Sequence, residues 1–367
     1  MTRGLARTNL QDRVRSVDIG KSVGGRLVSI QPLCRIGLIV LAAAALHGQT
    51  YYSAAKPDCS SLAEESAVAI TNSSGTTIGY SCYVSGAFIW LAAGGGWGTS
   101  IRVAAPASAP IGVEYSFYDT SGRDLALDLT VGRASQPMSR NSFGFSLSAN
   151  QPAEVTLLGA TSSAPKYGAT STGSVYAVFY CPDATTCRNV LPQLLYSALP
   201  ATPWSLSVPI TWDTELSTQW SAEGIDAGSA HRVSLAIYNE DVTATSYAIR
   251  VYDSTGSLAG TGATPSIPPL RALSGGSLGQ GGTYGALLSD LVSTPLPPGV
   301  FKVVVDGGSK YSAGEALQFN GPAATALQVA YDSGANSIAR AAPEGRPSPR
   351  SAHVASTSRV VFDSLAQ

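Results

Sequence analysis

Short runs with an apolar residue at every second position recur along this chain, and that period of two restricts its fold more than any other feature. Ile101 and Val103 flank Arg102, and Val113, Tyr115 and Phe117 alternate with Glu114 and Ser116. Val175, Ala177 and Phe179 form another run. Val233, Leu235 and Ile237 follow, then Tyr247, Ile249 and Val251, then Phe301, Val303 and Val305, and last Leu327, Val329 and Tyr331. A strand turns successive side chains to opposite faces, so each run predicts a strand with one apolar face and one mixed face. Each is short and bounded by Gly, Pro, Asn, Asp or Ser, the residues that turn a chain. The pattern predicts antiparallel sheets with one solvated side. The 38 glycines and 22 prolines fit the many turns such sheets need.

The 367 residues are too many for one sandwich and suit two domains with flanking segments. VEYSFYDTSG (113–122) lines up with YAIRVYDSTG (247–256), and at the same offset Ile101 meets Leu235 and Val103 meets Ile237. Trp90 and Trp220 align only at a different offset, so the match loosens upstream. The reading is an all-β chain of two tandem antiparallel, Ig-like β-sandwiches, over 49–200 and 201–332, with one short helix in the second. That helix is expected over TYGALLSDLV (283–292), where Leu287, Leu288 and Leu291 fall on one side at helical spacing. In both YDxxG segments the aspartate, Asp119 or Asp253, suits the first position of a turn and the glycine, Gly122 or Gly256, the fourth. The alternative for these carboxylates is a cation ligand. Residues 333–367 hold four arginines and little periodicity, and are expected to form a disordered tail.

Residues 1–48 carry seven Lys/Arg against Asp12 and Asp18, leaving 16 basic and 22 acidic residues in the remainder. A mildly acidic body without a basic cluster argues against nucleic acid as a partner. The apolar run IGLIVLAAAAL (36–46) follows Arg35 and has the length of a signal-peptide core, short of the roughly 20 residues of a membrane span. We expect residues 1–48 to be an export signal with a long extension, cleaved near Gly48, leaving no membrane span; a buried strand or helix is the alternative. Cys34 would then be lost, and Cys59, Cys82, Cys181 and Cys187 would remain. Sequence proximity favours the disulfides Cys59–Cys82 and Cys181–Cys187 in an oxidising compartment. A metal site is the poorer reading, because there is no CxxC and the histidines beyond residue 48 are only His231 and His353.

FIWLAAGGGWGTSIRV (88–103) resembles a segment that recurs in predicted secreted proteins of acidobacteria: a strand, a glycine run, a tryptophan and a second strand. In that family a second sandwich follows with a short leucine-rich helix before a strand, to which GALLSDLVSTPLPPGVFKVVVDGG (285–308) is similar. The resemblance covers residues 86–332 and implies secretion and tandem sandwiches, but no activity. WSAEGIDAG (220–228) departs from the glycine–tryptophan pattern in the second half.

Three sets of residues could carry chemistry. Gly275-Gly276-Ser277-Leu278-Gly279 matches a nucleophile-elbow pattern, with Asp290 or Asp306 and then His353 following in order. The serine, however, sits in a glycine-rich loop without the strand and helix an elbow requires. His231 heads a strand without an evident partner. Trp97, Trp204, Trp212 and Trp220 are candidate ligand-binding residues, because an exposed indole can stack on a sugar ring. Trp90, in an apolar run, is expected in the core, and Trp97, beside three glycines, is expected to be the more exposed. No metal and no cofactor are expected. The expectation is a non-catalytic extracellular or surface protein of structural or adhesive type, with an envelope or matrix polysaccharide or protein as partner. The alternative is a carbohydrate-binding or carbohydrate-acting protein with an aromatic face.

Overall fold

The computed structural model describes residues 50–62, 67–72, 74–132, 138–159, 170–198, 205–213, 217–227, 231–270, 280–320 and 323–332. The apolar run 36–46, Trp204, Ser277 and the segment 333–367 lie outside the described residues. The alternating runs form strands. The first group is β1 (Val68–Thr71), β2 (Thr77–Ala93), β3 (Trp97–Ala104), β4 (Ile111–Asp119), β5 (Leu127–Val131), β6 (Met138–Arg140), β7 (Ser142–Leu147), β8 (Pro152–Gly159), β9 (Ser171–Cys181), β10 (Gln193–Ala198), β11 (Ser205–Pro209) and β12 (Thr211–Trp212). Helix α1 (Ala184–Arg188) lies between β9 and β10. One sheet has the order β1-β2-β9-β4-β7, with β12 also paired to β2; the other has the order β11-β10-β3-β8-β5-β6.

The second group is β13 (Gln219–Asp226), β14 (His231–Asn239), β15 (Ala248–Asp253), β16 (Leu258–Ala263), β17 (Thr283–Leu287), helix α2 (Leu288–Leu291), β18 (Val300–Asp306), β19 (Ser312–Asn320), β20 (Ala323–Leu327) and β21 (Val329–Tyr331). Its sheets run β16-β15-β18-β13-β21 and β17-β14-β19-β20. Strands β11 and β12, beyond the expected division at 200/201, pair with β10 and β2 of the first group.

Each pair of sheets encloses one apolar core. The first holds Ile101, Val103, Val113, Tyr115, Phe117, Val175, Ala177 and Phe179. The second holds Val233, Leu235, Ile237, Tyr247, Ile249, Val251, Phe301, Val303 and Val305, with Leu327, Val329 and Tyr331 packed against it. The residues that carry the period of two are thus buried, with the last run, Leu327, Val329 and Tyr331, half-buried. Each large side chain removed from water contributes roughly 1.5–3 kcal/mol, so these runs dominate the fold.

The structure differs from the sequence reading in three places. First, β4 is not solvated on its second face: Glu114, Ser116 and Tyr118 are buried. Tyr51, from the segment ahead of β1, joins Tyr83, Tyr118, Tyr176 and Tyr180 on that face in a second apolar layer. Ser53 pairs with Tyr80, and Ser81 Oγ donates to the Tyr51 carbonyl at 2.8 Å. Second, the expected helix over 283–292 is reduced to Leu288–Leu291. Residues 283–287 instead form β17, held in register on β14 from Tyr238↔Thr283 to Ser234↔Leu287. The ladder provides more bonds than one extra helical turn would, and Gly285 lets the Trp90 ring pack directly on the backbone; a Cβ there would lie 2.8 Å from the ring.

Third, Trp90 is not in the core. Between Phe88↔Val175 and Leu91↔Gly173 the register of β2 shifts by one, so Ile89 and Trp90 oppose one residue of β9. This bulge keeps Phe88 and Leu91 in the first core and turns both Ile89 and Trp90 outward. There they meet Ala236, Tyr238 and Ala313 of the second sandwich. The Ile89 carbonyl at the bulge also joins the two halves, and the Trp90 carbonyl ties together the two sheets of the first sandwich. Thr283 Oγ1 donates to the Ile89 carbonyl at 2.9 Å, and the Tyr196 hydroxyl donates to the Trp90 carbonyl.

The YDxxG segments form turns as expected. Asp119 Oδ1 accepts from Ser121 N, Ser121 Oγ and Arg123 N at 2.8, 2.7 and 3.0 Å. Asp253 Oδ1 accepts from Thr255 N, Thr255 Oγ1 and Ser257 N at 2.9, 2.6 and 2.9 Å. Gly122 and Gly256 sit at φ +76° and +81°, a conformation that costs other residues roughly 1–2 kcal/mol. A third turn of this kind, not evident from the repeat, has Asn72 as its cap, with Ser74 and Thr76 donating to Oδ1.

Candidate functional site

Both expected disulfides form, Cys59–Cys82 and Cys181–Cys187. Two disulfides in one fold belong to non-reducing surroundings. They also frame a cleft of the first sandwich. Cys59–Cys82 ties the segment ahead of β1 to β2, and the chain then turns at Cys59–Leu62, where Leu62 N donates to the Cys59 carbonyl at 2.9 Å. Cys181–Cys187 ties α1 to the end of β9. That helix starts where Asp183 caps it, accepting from Thr186 N at 2.8 Å and from Thr186 Oγ1 at 2.9 Å. Arg188, in its last turn, donates from Nη2 to the Ser61 carbonyl at 2.7 Å, so the two cross-linked segments are also bonded to each other.

The third wall is β12. Trp212 lies opposite Gly86 of β2, where a side chain would collide with Thr211 and Ile210. The half-buried indole packs edge-on against Phe179, with ring centres 6.0 Å apart. Asp213 follows. Its Oδ2 accepts from Ser85 Oγ at 2.6 Å and from the Tyr176 hydroxyl at 3.0 Å. The space between these walls is about 300 Å³, lined by Ser61, Leu62, Val84, Ser85, Cys187, Arg188, Val190, Leu191, Trp212 and Asp213. A second depression of about 460 Å³ adjoins it across Leu191, a leucine that is 76% exposed, and includes Arg102, Glu154 and Gln193.

The candidate tryptophans do not share one strip. Trp220 is fully buried in the second core, against Gly314. Trp97 is half-buried on β3, edge-on to Tyr196 at 6.0 Å, and thus lies in the other sheet from Trp212. The glycine run before it forms the tight turn from β2 to β3, with Trp97 N donating to the Gly94 carbonyl at 2.9 Å. Trp204 lies outside the described residues. So do Ser277 and His353. Asp306, a proposed partner for them, is bonded to Arg250 Nη1 at 2.8 Å and to Gly308 N at 2.7 Å. Asp290 is exposed on α2. His231 opens β14 opposite Asn320.

Two carboxyl groups are displaced from their ordinary range by burial. Glu114 is pushed up to about 7, opposed by the hydrogen bond from the Tyr180 hydroxyl at 3.0 Å. Glu315 is pushed up to about 8 by complete burial on the face of β19 toward the first sandwich, and its Oε1 has no hydrogen-bond partner. The two turn aspartates move the other way. Burial opposes ionisation at Asp119, but the bonds from Ser121 and Arg123 outweigh it and the pKa is lowered. At Asp253 the bond from Thr255 lowers it. With their oxygens engaged by turn donors, both aspartates act as caps. Among the described residues no cluster of three or more His, Cys, Asp or Glu could hold a metal ion, and no helix is long and apolar enough to cross a membrane.

Sequence reasoning singled out Trp212 but missed the polar residues around it, Ser85, Arg188 and Asp213, because they are far apart along the chain. The available signal was the pair of disulfides, which bring two of the cleft's walls together. No family model matches the chain, and neither does any curated protein.

Proposed function

We propose that this chain is an exported, non-catalytic protein of the cell surface or extracellular matrix, structural or adhesive in type. The observation that carries this reading is the pair of disulfides fastening peripheral segments to the first sandwich, in a chain with few charges. Cross-links of this kind are kept in oxidising compartments. The export signal read in residues 36–46 and the likeness of residues 86–332 to secreted acidobacterial sandwich proteins point the same way. Support for a non-catalytic role comes from the carboxyl groups. Glu114 and Glu315 are buried in separate places, and Asp119, Asp253 and Asp306 are engaged in turns or an ion pair. General acid–base catalysis instead needs a titrating group within reach of a substrate.

Fractionation of the native host tests the reading. The protein should be recovered with the envelope or medium, begin near residue 49, and leave a panel of esters, amides and glycosides at background rates. An intact N-terminus in the cytoplasm, or turnover abolished by Ser277→Ala, would overturn it.

A further inference from the structure

We infer that the cleft between α1 and β12 binds a neutral hexose unit of a polysaccharide, with Trp212 as its stacking surface, Arg188 as its hydroxyl-binding donor and the Asp213 carboxylate as the charge that balances Arg188. The inference goes beyond the structural role proposed above and does not depend on export.

The chemistry of the walls selects the ligand. At about 300 Å³ the space is at the small end of binding pockets, room for one ring. A pyranose has an apolar C–H face and a rim of hydroxyls, and the cleft offers a counterpart to each. The half-buried indole of Trp212 is a flat apolar surface held edge-on by Phe179. Arg188 is a donor fork and Asp213 a carboxylate with one oxygen buried and the other engaged by Ser85 and Tyr176, both residues lining the same space. Their opposite charges favour a neutral ligand, because an anion would meet Asp213 and a cation would meet Arg188.

Both polar groups are fixed before any ligand arrives. Asp213 receives two hydroxyl donors, from Ser85 and Tyr176. Arg188 is anchored to the Ser61 carbonyl, and its helix is tied to β9 by a disulfide. A guanidinium has five donors, so that one bond leaves others to bind hydroxyls. Fixing side chains in advance lowers the entropic cost of binding. The adjoining depression across Leu191 then takes the neighbouring ring, which makes the ligand a chain rather than a free monosaccharide.

The test uses the purified, oxidised protein titrated with cellohexaose, maltohexaose and chitohexaose, followed by calorimetry and tryptophan fluorescence. At least one should bind saturably and perturb the fluorescence, and an oligouronate of equal length should bind no more tightly. Trp212→Ala should weaken binding at least tenfold, Arg188→Gln should weaken it severalfold, and Trp97→Ala, in the other sheet, should leave it unchanged. Should Trp212→Ala fail to fold, Arg188→Gln at the exposed end of α1 carries the test alone. No saturable binding by the unmodified protein to any of the three, or binding undiminished in Arg188→Gln, would overturn the inference.

Discussion

The two YDxxG turns have the same sequence logic and the same bonds, yet only one of them joins the two sandwiches. Around Asp253 the turn stands in solvent, and the space beside Gly256 is open. Around Asp119 the turn is docked. Thr283 N donates to the Thr120 carbonyl at 3.1 Å, and Gly122 lies so close to the Gln280 and Gly281 carbonyls that a Cβ would overlap them. One glycine is therefore required by φ alone and the other by φ and by its neighbour. A motif fixes a local conformation, and what the turn does beyond that depends on what the rest of the fold places against it.

Glycine substitutions break the comparison most directly. Gly256→Ala should cost about 1 kcal/mol, the penalty of a left-handed residue. Gly122→Ala carries the same penalty together with the overlap at Gln280, for a total of about 3 kcal/mol or more. Denaturant unfolding measures both. Equal losses would mean that the docking against β17 adds nothing to stability.

The docked side carries a second signature, which is pH. Glu315 faces the first sandwich from β19 and has its pKa raised by burial to about 8, from 4.5 for an ordinary glutamate. A raised folded-state pKa means that the stabilisation is complete below the unfolded value. It is lost as pH rises, here between about 4.5 and 8. The slope for one group cannot exceed about 1.4 kcal/mol per pH unit. Glu315→Gln preserves the shape and removes the titration. Its thermal midpoint should match the unmodified protein near pH 4.5 and exceed it at pH 8. Parallel curves over that range would show that Glu315 does not hold its proton in the folded state.

Much of the fold was legible because strand burial has a local code. Alternation at 113–117 or 247–251 states which side chains face inward, wherever the partner strands lie. The disulfides were legible for a related reason, since short spacing leaves few alternatives. What was not legible depends on contacts distant in sequence. Leu287, Leu288 and Leu291 have helical spacing, but the ladder between β14 and β17 overrides it up to Leu287. Trp90 reads as core, and only a one-residue shift against β9 turns it into an interface residue. The second face of β4 reads as solvated because Glu114 and Ser116 are polar, and nothing local announces the layer of tyrosines that forms on that side. The site is the extreme case. Asp213 carries no motif, and its two donors come from β2 and β9.

The smallest expected effect concerns charge in the turns themselves, and the molecule supplies its own control. Asn72 makes the same three bonds as Asp119 and Asp253 with a neutral oxygen. The turn therefore needs an acceptor, and the negative charge only strengthens bonds that an amide can also make. Both aspartates have lowered pKa values, so their contribution is present above the ordinary 3.8 and is lost as pH falls through the folded-state value. Asp119→Asn and Asp253→Asn should each lower the unfolding midpoint slightly at pH 7, and the deficit should shrink toward pH 3 as the unmodified carboxylates take up protons. Asp119, partly shielded by the second sandwich, should show the larger deficit at neutral pH, and Asp253, in open solvent, the smaller and more salt-sensitive one. Urea melts of the two variants at pH 7 and pH 3 make the comparison. A deficit that stays constant with pH would assign the loss to side-chain geometry and not to charge. A larger deficit at Asp253 than at Asp119 would show that docking does not strengthen the first turn.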